Sequence, residues 1–391
     1  MKIIFKFKFI NILVVLLIVF IGLAFPAWAG GPEEGPLEPV ELSSETTGDA
    51  QLSTPALLQV ALDRGDIDQD TYLLYLHYAL GDYAQLPAEY HSNVPWDGTP
   101  YVLLLQQGLP NMQDSNKRGK IVAQSGTCGD QSGVSQTITD TTSANFYIQY
   151  DAATIGGASG LTLADYRTSL DTYGWGAAID TYGWAAPPVS SNPPPGNRYH
   201  VLIAPLGGGV YGYVYNFGEH AGWADPISNP NIPWNESGPY WAKASCMVLR
   251  DDFSGFGGTA QSVLDAATAH EFHHSIQFGY GALSVSFDSN FVEGSAAWME
   301  DEISDASNEN YQYLWPDFHT CMGQYPSDGL GYWLVFRGLT ERYGTTEADG
   351  SEQVMQNYWE IVSNPVARTS AGGVMLNALD VALGMVPAGT I

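Results

Sequence analysis

The chain has 391 residues, 45% hydrophobic and only 14% charged, with 42 acids against 14 bases and a formal charge of −28. A charge of that sign repels phosphate backbones and anionic lipid, which argues against a nucleic-acid partner and against electrostatic membrane binding. The three cysteines, Cys128, Cys246 and Cys321, have no C-x-x-C spacing, so they argue against a disulfide scaffold and a thiolate metal site and allow at most one internal disulfide.

Lys2, Lys6 and Lys8 precede an apolar run from Ile10 to about Phe25, and Ala27-Trp28-Ala29 follows as a small-x-small cleavage signal. Residues 1–29 therefore read as a secretory signal peptide, and the mature protein is expected to be secreted or retained at the cell surface. The alternative is an uncleaved anchor. Cleavage removes the three lysines and moves the formal charge to −31. No later run reaches the ~18 apolar residues that span a bilayer, so no stable membrane association is expected after cleavage. Residues 30–50, acidic and rich in Gly, Pro, Ser and Thr, read as a disordered lead-in.

Residues 51–120 read as a small helical N-terminal region. Pro55–Leu62 and Asp70–Leu80 are apolar-periodic segments joined by an Asp-rich link. Asp66, Asp68 and Asp70 begin like a calcium loop, but Thr71 stands where such a loop needs Gly and His77 where it needs a bidentate Glu. Asp-capped helices are the better reading, and no calcium site is assigned. From Leu86 onward the region lacks long periodicity and ends in the basic cluster Lys117, Arg118 and Lys120. It fits a pro-segment removed at that cluster and equally a packed N-terminal subdomain.

Residues 121–391 form the expected catalytic domain. Strands are predicted at 145–151, 198–205, 210–217 and 245–253, with a helix over 161–179. Further helices follow at about 260–278, 290–304, 330–342, 352–363 and 370–383. The pentapeptide DTYGW occurs at 171–175 and again at 180–184, too short a duplication for a solenoid. Strands first and helices afterwards argue for an α+β fold.

The helix over 260–278 carries Ala269-His270-Glu271-Phe272-His273-His274. Val263, Ala267, His270 and His274 share one helical face, and Gly279 suits the left-handed position after the helix. His270 and His274 lie one turn apart, so both imidazoles can converge on one ion. Glu271 stands beside them, placed to take a proton from metal-activated water. With 8 histidines in the chain, a chance H-E-x-x-H has odds on the order of one in a hundred. His273 is a competing ligand at i,i+3 from His270, although the i,i+4 pair leaves Glu271 on the correct side. A catalytic zinc wants a third protein ligand. After His274 and eighteen intervening residues comes Glu293, in a second helical pattern, Phe291 to Ile303. Gly294 within it costs about 1 kcal/mol relative to Ala, which a close backbone approach to the site would explain.

HEFHH followed by VEGSAAW resembles the gluzincin zinc metallopeptidases. More closely, AHEFHHSIQFGY with FVEGSAAWMEDEI resembles a group of secreted bacterial and archaeal metallopeptidases known from sequence, whose L-P-A-E-Y stretch is echoed at Leu86–Tyr90. The resemblance extends over roughly 55–383, sharply marked only in the two helices. It implies a zincin-like fold, one catalytic Zn2+ held by His270, His274 and Glu293, and Glu271 as general base. The chain departs from the pattern at His273, where that group commonly has an aromatic residue. It departs again at Ala297, where thermolysin-like enzymes have an acid that orients a ligand histidine. Glu300, seven residues after Glu293, lies on the same helical face and could take that task.

The expected activity is hydrolysis of a protein or peptide substrate. Tyr332, His319, Tyr280 and His273 are candidate oxyanion donors or neighbours of the ligands, none singled out by sequence. The strand over 245–253 suits the sheet edge that pairs with substrate. The alternative is an exported adhesion or surface-binding protein with a structural or vestigial metal site. Glu271 discriminates, because a structural site has no need of that carboxylate.

Overall fold

The computed structural model describes residues 52–124, 138–189, 195–216, 229, 231–232, 242–281, 289–304, 310–311, 329–343, 353–363 and 375–384. The expected signal peptide and acidic lead-in lie outside these, as do His319, Cys128 and Cys321. Cys246 is disulfide-bonded. No helix among the described residues is long and apolar enough to cross a membrane.

The chain is α+β. Four helices come first: α1 (Thr54–Arg64), α2 (Gln69–Gly81), α3 (Thr99–Gly108) and α4 (Ser115–Gln124). Asp68 caps α2 by accepting from the Thr71 amide at 2.7 Å, and its bonds to the Thr71 hydroxyl, that amide and Lys117 bring its carboxyl down to about 2. Helices α3 and α4 form where no long periodicity was legible. The basic cluster lies on α4, and Lys117 Nζ is 3.1 Å from Asp68 Oδ1, so the expected processing point is helical backbone.

Five strands follow: β1 (Ile138–Asp140), β2 (Phe146–Tyr150), β3 (Tyr199–Ala204), β4 (Gly212–Asn216) and β5 (Ser245–Arg250). They form one sheet in the order β1-β2-β3-β5-β4. β2, β3 and β5 are parallel, while β1 and β4 run antiparallel to their neighbours. The strand expected at the substrate-binding edge, β5, is therefore interior, and the edge is β4. Strand order along the chain is not strand order in the sheet, because the chain places β5 between β3 and β4.

Side-chain alternation makes this sheet the middle of three layers. Val201, Ile203, Val214, Met247 and Leu249 face a core shared with the later helices. Leu202, Ala204, Tyr213, Tyr215, Cys246 and Val248 face a second core built with α1–α4. A sheet buried on both faces reads as nearly continuous apolar strands, as β3 and β5 do. Residues on both sides of position 120 thus pack on one sheet, within a single compact unit from Gln51 to Ile391.

Between β2 and β3, α5 (Leu163–Ser169) widens into a π-helical stretch, Leu170–Thr181. The two DTYGW copies place Trp175 against Phe272 and Trp184 against His273. After β5 come α6 (Ala260–Gly279), α7 (Ser289–Ile303), α8 (Trp333–Tyr343), α9 (Gln353–Ser363) and α10 (Met375–Gly384). Thr259 caps α6 with a reciprocal bond to Ser262. The helix runs through Gly279, so the left-handed residue after it is Gly281, at φ 71°, and not Gly279. From Val263 onward α6 is buried all round, as a helix packed between a sheet and other helices must be.

Candidate metal centre

Helix α6 brings His270 and His274 to one face with their Nε2 atoms 3.0 Å apart. Helix α7 brings Glu293 Oε2 to 3.4 Å from each of them. Tetrahedral ligands at about 2.0–2.1 Å from zinc are about 3.3–3.4 Å apart, so these three atoms have the spacing of one coordination sphere. A fourth group, Asp97, comes from the turn before α3. Its Oδ2 lies 3.6 Å from His270 Nε2 and its Oδ1 3.8 Å from His274 Nε2. The four ligand atoms all lie within 4.8 Å of one another, and all four residues are buried.

The donor chemistry fits a cation. The Gln277 amide nitrogen donates to the Val292 carbonyl at 2.9 Å and to Ser295 Oγ at 3.0 Å, which fixes the amide orientation. Its Oε1 therefore accepts from His274 Nδ1–H, at 2.8 Å. Glu300 Oε1 accepts from His270 Nδ1–H at 2.6 Å. Both neutral imidazoles then aim an Nε2 lone pair at the same point. Neither carboxylate oxygen of Glu293 has a hydrogen-bond partner among the described residues, and neither does Asp97 Oδ2. Unpaired buried acceptors converging on two facing lone pairs are costly unless a positive charge lies between them.

The titration behaviour has the same origin. Burial opposes charge on His270, but Glu293, Glu300 and Asp97 outweigh it and hold its pKa well above the usual imidazole range, so a proton on Nε2 is the alternative to a metal ion at that point. Burial alone would raise Glu293, yet the two imidazoles hold it below the usual carboxylate range. Burial, then the Glu293 charge, raises Asp97. Burial, then the Asp97 charge, raises Glu271 well above its ordinary value.

Glu271 is one residue around α6 and is fully buried. Its Oε2 accepts from Thr99 Oγ1 at 3.1 Å, and its Oε1 has no hydrogen-bond partner among the described residues. Tyr211, Val263, Ala266 and Ala267 line a small cavity together with Asp97, His270, Glu271 and Glu300.

The remaining sequence candidates divide. Glu300 bonds the far nitrogen of His270, the task Ala297 leaves open. His273 is buried and lies outside the four-residue cluster. It points away from the cluster, edge-on to Trp184 with ring centroids 5.2 Å apart, because it stands about 100° around α6 from His274. Burial pushes its pKa well below the ordinary value. Tyr332 belongs to the core cluster of the later helices and packs its Cβ against Gly294. The Tyr280 hydroxyl accepts from the Ala185 amide. His319 lies outside the described residues. Gly294 serves this packing and not an approach to the ligands: a Cβ there would lie 2.8 Å from Phe336 Cε2 and 3.0 Å from Tyr332 Cβ. Sequence reasoning missed Asp97, whose local signal in Trp96-Asp97-Gly98-Thr99 is only that of a turn, and Gln277, three residues after His274. Compared with protein-family models, curated proteins and solved structures, the chain matches none.

Proposed function

We propose that this chain is a secreted zinc-dependent endopeptidase with a zincin-like fold, as its resemblance to the gluzincins implies. The observation that carries the reading is a buried carboxylate, Glu271, beside a cluster of two imidazoles and two carboxylates whose ring tautomers are held by Gln277 and Glu300. That ligand set suits zinc. A divalent ion bound there supplies Lewis acidity, polarising the scissile carbonyl and lowering the pKa of water to about 7.

The chain's own groups do the rest. His270, His274 and Glu293 hold the ion, and Glu300 and Gln277 keep both Nε2 atoms free for it. Glu271 Oε1 takes the proton from the attacking water. A C–O bond forms at the carbonyl carbon, the C–N bond breaks, and Glu271 returns the proton to the leaving amine. The outer edge of β4, whose Gly212 carbonyl and Val214 amide are taken by Gly98 and Thr99, is the place for an extended peptide.

A structural metal site is the second reading, favoured by Asp97, since four protein ligands close a shell. Glu271 argues against it, because a structural site gains nothing from a buried carboxylate with an unpartnered oxygen. The test compares metal content and peptide hydrolysis for Glu271 and Glu271→Gln chains, each with Asp97 and with Asp97→Asn. The peptidase reading expects Glu271→Gln to keep the metal and lose about 10²-fold or more in rate. Equal rates, or no hydrolysis by any metal-loaded form, would overturn it.

A further inference from the structure

We propose that Trp96–Thr99 is a built-in inhibitory strap that keeps the metal centre closed until it is lifted. The inference rests on the peptidase reading and concerns the control of that site.

The strap occupies three positions that a peptide substrate would need. The first is the sheet edge. The Trp96 amide donates to the Gly209 carbonyl, the Tyr211 amide to the Trp96 carbonyl, and the Gly98 amide to the Gly212 carbonyl, at 3.0, 3.2 and 3.0 Å. Trp96 bridges Val210, just ahead of β4, in parallel orientation, so the strap lies along the open side of that strand as a short strand-like segment. A substrate added to that edge would compete for the same backbone groups. The second is the position opposite the protein ligands, where Asp97 places its carboxylate. The third is the base: Thr99 Oγ1 accepts from the Val214 amide at 2.9 Å and donates to Glu271 Oε2.

The fit is close. A Cβ at Gly98 would lie 2.8 Å from the Gly212 carbonyl oxygen and 2.8 Å from Tyr213 Cβ, and one at Gly209 would collide with the Val94 carbonyl. Asp97 Oδ1 also accepts from the Thr99 amide at 2.8 Å, which locks the turn. The strap's anchor is the N-terminal helical layer, and that layer shares its core with Leu202, Tyr213 and Val248. Losing the whole layer would strip one face of the sheet, so release is local: Trp96–Gly98 peel from β4 and Thr99, the first residue of α3, frays with them, while the rest of the helical layer stays.

The test uses the full chain with Co2+ in place of zinc. The visible cobalt spectrum reports whether acetohydroxamate reaches the metal, and a peptide library reports hydrolysis. Variants are Asp97→Asn, which can still accept from the Thr99 amide, and Gly98→Ala, which leaves Asp97 intact but crowds the strap against β4. The wild type is expected to show no spectral response to acetohydroxamate. Both variants are expected to respond, with hydrolysis at least about tenfold above wild type, a change equivalent to ~1.4 kcal/mol. A wild type that binds acetohydroxamate and cleaves peptides as the variants do would overturn the strap and leave the peptidase reading standing. An Asp97→Asn chain that no longer holds cobalt would overturn it too, by making Asp97 a required ligand. Variants that bind acetohydroxamate but cleave nothing would support the strap and sink the peptidase reading.

Discussion

Replacing Gln277 with Leu removes the group that sets the tautomer of His274 without changing side-chain length by much. Gln277 is fully buried, and its amide makes three bonds: to His274 Nδ1 at 2.8 Å, the Val292 carbonyl at 2.9 Å and Ser295 Oγ at 3.0 Å. Ser295 keeps its bond to the Phe291 carbonyl, so the main loss falls on the imidazole. A buried donor left without an acceptor costs about 1–3 kcal/mol. His274 escapes part of that cost by moving its proton to Nε2, which removes its lone pair from the metal. Either route weakens binding, and loss of such an orienting bond typically costs about 10–100-fold in metal affinity. The expected result is therefore a 10–100-fold weaker zinc affinity, with destabilisation of the zinc-free chain of about 1–3 kcal/mol. Competition with a chromophoric chelator measures the first and urea unfolding the second. Unchanged affinity in a folded Gln277→Leu chain would refute the tautomer argument and, with it, the reason for assigning lone pairs to both facing nitrogens.

Further predictions follow from the same structure. Chelation should destabilise the chain: metal at 100 to 1,000 times its Kd stabilises by about 2.7–4.1 kcal/mol, so an unfolding midpoint indifferent to EDTA would contradict a bound ion. Gly294→Ala should destabilise by about 1–3 kcal/mol despite alanine's better helix propensity, since the new methyl meets Phe336 and Tyr332; a neutral or stabilising result in urea would contradict that packing. Burial holds the His200 imidazole down to about 4, against an ordinary value of 6.5. The unfolded chain takes that proton first, so this contribution is complete above pH 6.5 and is lost as pH falls toward 4. His200→Gln should flatten the pH dependence of stability across that window, and an unchanged slope would count against it.

What was legible in sequence was whatever is local. The i,i+4 spacing of His270 and His274 is a property of one helix, and Glu293 could be found because its helix pattern begins beside it. Glu300 was within reach for the same reason. Asp97 was not, because its contribution is wholly tertiary: the local bond it makes, to the Thr99 amide, is that of an ordinary turn. His273 misled because adjacency in sequence puts it on a different side of α6, against Trp184. The edge strand was misassigned because alternation tells which residues face which layer, whereas strand order depends on where the crossover lands. The three-residue β1 carries too little pattern to be seen, and the π-helical winding after Ser169 has no period that distinguishes it from an α-helix.

The most direct test of the account is the metal content of the purified chain, measured by mass spectrometry after growth with zinc. The account predicts one tightly held zinc ion per chain, kept in Glu271→Gln and lost when His274 and Glu293 are both replaced by Ala. A wild-type chain that carries no divalent metal, or a doubly substituted chain that holds it as well as the wild type, would contradict it.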